Sequence, residues 1–137
     1  MSPQRPWDEV DQGGVSLMIA VLFMGLVAIA GLVLDGRRLL AANTNASDLA
    51  GIAARVGAQD ISPASIRAGH PALDTDAATA DATAYLTRHH VTGQVRATAT
   101  VVTVTVHLPV RYQLLALSGT SGRTITQTRS AGILTGP

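Results

Sequence analysis

The stretch from Val15 to Leu34 runs for twenty residues without a charged side chain and with a single polar one, Ser16. As an α-helix rising about 1.5 Å per residue it spans roughly 30 Å, the thickness of a bilayer's hydrocarbon core, so it can cross a membrane once. Ala28-Ile29-Ala30 matches the A-x-A pattern of a signal-peptidase site, which makes a cleaved export signal the competing reading. Against that reading, Asp8, Glu9 and Asp11 face Arg5 alone where a basic n-region is required, and Leu32-Val33-Leu34 carry the apolar run past the site. The sequence therefore predicts a span that is retained.

At 137 residues the chain allows one small domain beyond the span, and nothing in it repeats. The absence of cysteine excludes disulfides and thiolate metal sites. The near-neutral total hides an asymmetry. Residues 1–81 hold all nine acids and five of the ten arginines, a balance of −4, while residues 82–137 hold five arginines and no acid, a balance of +5. Such a distribution suits attraction to an anionic surface or an acidic neighbour; the plainer reading is solvated arginines on strand faces. Nucleic acid is not an expected partner, because no basic cluster exists and only Tyr85 and Tyr112 are available for stacking.

The helical pattern continues past the charged step Asp35-Gly36-Arg37-Arg38. Leu39, Ala46 and Ala53 recur every seven residues, as do Ala42, Leu49 and Val56, which gives a narrow seam of small side chains at helical spacing. An alanine-lined seam of this kind allows another helix to come close. Within the span, Ser16, Ala20 and Ala28 share one i+4 row with Gly25 and Gly31 nearby, the small-residue pattern that lets helix backbones approach in lipid. One helix is predicted from about Val15 to about Gln59, with Gly36 and Gly51 as soft points costing about 1 kcal/mol each relative to alanine.

The sequence Asp60-Ile61-Ser62-Pro63 ends that helix, and a loop through Gly69, His70 and Pro71 leads to a second one, capped by Asp74 or Thr75 and reaching Arg88. Val95, Ala97 and Ala99 alternate in one phase and Val102, Val104 and Val106 in the other, so two antiparallel strands meet near Val101. Pro109 is expected to end the second. The segment YQLLALSG reads as a short apolar helix or loop, GTSG as a turn, and RTITQTRSAGIL as a third strand whose arginines favour an edge. The fold class is α+β, divided into a leader or head (1–14), a transmembrane helix (15–34), its alanine-rich continuation (35–59) and a small domain (60–137). A cysteine-free domain of that size needs the long helix, and neighbouring copies or related subunits, to cover its apolar strand face.

A short acidic leader ending in Gly13-Gly14, a single span, the step D-G-R-x-L at its exit, an Ala/Asn/Asp-rich helix and a Val/Thr strand domain together resemble the TadE/TadG-like minor pilins, or pseudopilins, of the tight-adherence (Tad, or Flp) pilus, in their short actinobacterial form. The resemblance covers the whole chain in architecture and rests most specifically on residues 13–59. It implies a bitopic membrane protein with its C-terminal domain outside the cell, built into or assisting a surface pilus or secretion pseudopilus. Its implied partners are the membrane, other pilins and assembly proteins, and a prepilin peptidase acting at Gly13, Gly14 and Val15. Two features depart from the family. Counted from Val15, the fifth position holds Ile19 instead of the usual Glu, and Arg37-Arg38 after the span outnumber Arg5 before it, against the N-inside orientation. The N-inside orientation remains the expectation.

No enzyme is expected, with neither cofactor, metal nor small-molecule substrate. His70, His89, His90 and His107 show no metal-ligand spacing, no nucleophile or phosphate-loop motif occurs, and Asp74, Asp76 and Asp81 read as capping and solvated residues. The alternative to a pilus subunit is a membrane-anchored binding or scaffold protein that joins no filament.

Overall fold

A computed structural model describes residues 10–112, 116, 119 and 121–133. The order of elements is α1 (Val10–Gly57), α2 (Pro63–Arg67), α3 (Thr75–Arg88), β1 (Thr92–Ala97), β2 (Val101–Arg111) and β3 (Gly122–Gly132), an α+β arrangement in which one long helix precedes a small helix-and-sheet domain. The strands form an antiparallel sheet in the order β1-β2-β3.

Helix α1 is 48 residues long, or about 70 Å. It begins inside the expected head and passes through Gly36 and Gly51 without interruption. Its last turns carry Ala46, Ala50, Ala53 and Gly57 at steps of four, three and four, one face of a helix, and all are buried. That face lies on the chain's own sheet. Val102, Val104 and Val106 of β2 project toward it with no exposed surface, Ile125 joins from β3, and Ala78, Ala82 and Leu86 of α3 close the core. The boundary expected at residue 60 is therefore not where the domain begins, because the alanine-rich half of α1 is one wall of its core. Small residues on the helices let both come close to the β-branched sheet face, and each fully buried valine adds about 1.5–3 kcal/mol of apolar transfer.

The connection after α1 holds a short helix where a plain loop is expected. Pro63 sits at its start, where a missing N–H leaves nothing unsatisfied, and Ser65 Oγ donates to Ser62 O at 2.7 Å while accepting from Ala72 N at 2.9 Å. Helix α3 starts as its sequence indicates, with Asp74 as N-cap accepting from Ala77 N at 3.1 Å. It stops at His89, and His90 turns the chain at a φ of 54°.

Register pairs Thr92 with His107 through Ala97 with Val102, and Val101 with Gly132 through Arg111 with Gly122. Pro109 does not end β2, which continues two residues further. The reason lies in the unequal lengths of the neighbouring strands. Val101 O accepts from Thr98 N on the β1 side, so alternation turns the N–H positions of odd residues in β2 toward β1, and β1 has already ended opposite His107. At residue 109 that side is open, and a proline removes no ladder bond. The outer sheet face is polar and cross-linked, with Thr103 to Ser130 and Thr105 to Thr128 at 2.9 Å and His107 Nδ1 to Thr126 Oγ1 at 3.1 Å. Strand β3 is an edge, as its arginines suggest. Most of YQLLALSG lies outside the described residues.

Candidate functional site: a membrane-length helix and its exit

From Gly14 to Ala30 every residue of α1 is exposed, and the most apolar window of the helix is only 6% buried. Among the described residues it is the one helix long and apolar enough to cross a membrane. Leu17, Phe23, Met24 and Leu26 are each exposed by 66% or more. A continuous apolar surface of this extent is stable only against lipid or other protein.

Ser16, Ala20, Gly25 and Ala28 lie on this uncovered stretch, and a Cβ added at Gly25 would meet nothing within 4 Å. Gly31 differs in being buried. Gly13, Gly14 and Val15 fall inside the helix, with Gly14 and Val15 exposed.

The second half of the seam is placed differently from the sequence-based expectation. Ala46 and Ala53 have no exposed surface, and Leu39, Ala42, Leu49 and Val56 are half-buried along the same side. That side packs into the chain's own core, against the sheet and, toward the end of α1, against α3. A Cβ at Gly57 would stand 2.6 Å from Ala78 O and 3.3 Å from Ala82 Cβ. The alanine seam outside the span is consumed by intramolecular packing, and only its continuation within the span is left for other helices.

At the exit of the span, Asp35 is 1% exposed and stands 3.7 Å from Arg38 Nη1. A buried carboxylate needs such a partner to offset its desolvation. Arg37 and Arg38 are exposed, and on another side of the same helix Arg123 and Thr124 of β3 line one groove with Gly36, Leu39, Leu40 and Asn43. No local pattern could reveal this approach, because the two sides of the groove are eighty or more residues apart in sequence.

Acidic side chains gather at the opposite end. Asp74 N donates to Asp60 O at 2.8 Å, and burial first, then the negative charges of Asp81 and Asp74, push the Asp60 carboxyl above its usual range. Asp60 Oδ2 is shut off from solvent and has no hydrogen-bond partner among the described residues. The described acids and histidines form no cluster of three or more fitted to a metal. His70 is exposed, His89 lies against Tyr85 in a tilted ring contact with centroids 4.4 Å apart, and His107 bonds within the sheet, so the structure brings none of these three to a common centre.

No family model, curated protein or solved structure matches the chain.

Proposed function

We propose that the protein is a structural subunit of the minor pilin or pseudopilin type, anchored by the Val15–Leu34 segment with its C-terminal domain outside the cell, and that it assembles with like proteins through helix packing in the span. One observation carries the reading: a single unbroken helix has its apolar half almost wholly uncovered and its other half built into the domain core. A flexible tether would allow the domain to move independently of the span. An unbroken helix instead transmits the position of one rigidly to the other, as a building block of an ordered assembly requires. The exposed row of Ser16, Ala20 and Ala28 supplies the surface, since small residues permit close backbone contact in lipid. The pilus assignment itself rests on the resemblance of residues 13–59.

The self-contained packing of Ala46 and Ala53 favours a second reading, a tethered scaffold or binding protein that joins no filament, because no alanine seam outside the span is left for a neighbour. The two readings part on the variant Ala20→Leu with Ala28→Leu. Added apolar volume there leaves membrane insertion intact but holds helices apart. A pilus subunit loses co-purification with pilus-assembly proteins; a tethered protein is unchanged.

A further inference from the structure

We propose that the membrane-facing end of the domain is a basic rim that engages anionic phospholipid headgroups, carried by four exposed arginines on different faces: Arg37 and Arg38 of α1, and Arg111 and Arg123 of β2 and β3. The inference rests on the membrane-anchored part of the preceding reading and is independent of the pilus and of which side of the membrane the domain occupies.

Height along the helix is the first argument. Gly36 and Leu40 follow the apolar run by two and six residues, about 3 and 9 Å along the axis. The polar headgroup layer is roughly 6 Å deep on each side of the hydrocarbon. Arg123 lines a groove with those same two residues, which sets it at the level of that layer or just above it. Arg111 pairs with Gly122 and Val110 with Arg123, so the two hairpin arginines occupy the same end of the sheet and, by alternation, opposite faces.

Charge is the second. Arg37, Arg38, Arg111 and Arg123 are all exposed, and a guanidinium stays charged at any physiological pH while its fork of donors matches phosphate oxygens. Asp35 offsets one charge through Arg38, and it is buried, so the outward-facing balance remains positive. The carboxylates of Asp60, Asp74 and Asp81 gather at the far end of α1, about 35 Å up from Leu34, well beyond a screening length of about 8–10 Å. The domain thus meets the membrane with its basic pole. Attraction at this distance fixes the tilt of the domain as well as its height, because two of the arginines are on the helix and two on a hairpin beside it.

The test uses the full chain, extracted from vesicles of equal parts phosphatidylcholine and phosphatidylglycerol, with the lipid that co-purifies quantified by mass spectrometry. Wild type retains phosphatidylglycerol in excess over phosphatidylcholine. Arg111→Gln with Arg123→Gln lowers that preference by about fivefold for each arginine removed, while Arg111→Lys with Arg123→Lys, which keeps the charge, retains most of it. Arg67→Gln, the same loss of charge on α2, leaves the preference unchanged. Equal retention of both lipids by wild type, or an unchanged preference in the double glutamine variant, overturns the proposal. Loss of the protein from carbonate-washed membranes would instead refute the anchor on which it rests.

Discussion

Gly57 of α1 lies so close to Ala78 of α3 that a Cβ on the glycine would stand 2.6 Å from the alanine carbonyl oxygen. The contact brings the backbone of α3 against the C-terminal end of the long helix. Gly57→Ala forces the helices apart and lowers stability by about 1–3 kcal/mol, read as a fall in the denaturant midpoint. Gly36→Ala is the control. A Cβ there meets nothing within 4 Å, and the gain in helix propensity is about 1 kcal/mol in the stabilising direction.

Ala46 and Ala53 carry the same message for the seam. Both are fully buried against the domain, so Ala46→Leu with Ala53→Leu unfolds or loosens the domain by about 1–3 kcal/mol per site before any question of assembly arises. Increased protease sensitivity of the domain, with membrane retention intact, is the expected result. A variant that keeps wild-type stability would place those alanines on a free surface and contradict the packing.

Asp60 makes stability depend on pH with a definite sign. Its folded carboxyl titrates above its unfolded value, so protonation favours the folded chain: the contribution is fully present below the ordinary value of 3.8 and is lost as pH rises through the raised folded value. Asp60→Asn, which mimics the protonated form, therefore unfolds at a higher temperature than wild type at pH 7. The difference disappears below the ordinary carboxylate range. Thermal melts at the two pH values check it, and equal melting points at pH 7 would remove Asp60 as the source.

Pro109 lies beyond the last β2 residue paired with β1 and, among the described residues, pairs with β3 alone, opposite Thr124. Pro109→Thr should change stability by no more than about 0.5 kcal/mol but exposes an unpaired N–H on a bare edge, so self-association in detergent increases with concentration. Thr105→Pro, in the part of β2 paired on both sides, removes a ladder bond and costs about 1–3 kcal/mol. Analytical ultracentrifugation and denaturant melts of the pair separate the edge effect from the ladder effect.

Local pattern was enough to determine much of this protein. The apolar run of residues 15–34, the cap at Asp74, the phase switch between Val95-Ala97 and Val102-Val104-Val106 and the edge placement of β3 all follow from periodicity and chain stereochemistry, which act over a few residues and are written in them. Tertiary structure decided what those patterns face. An alanine seam is equally suited to a neighbouring subunit or to the chain's own sheet, and the choice belongs to the sheet, whose valine face is covered by that seam together with α3. Pro109 reads as a stop until the shorter β1 leaves its side of β2 open. The convergence of Arg123 on Gly36 and Leu40 arises only because an antiparallel hairpin returns along the helix, and a contact across more than eighty residues is set by packing and leaves no mark in the neighbourhood of either residue.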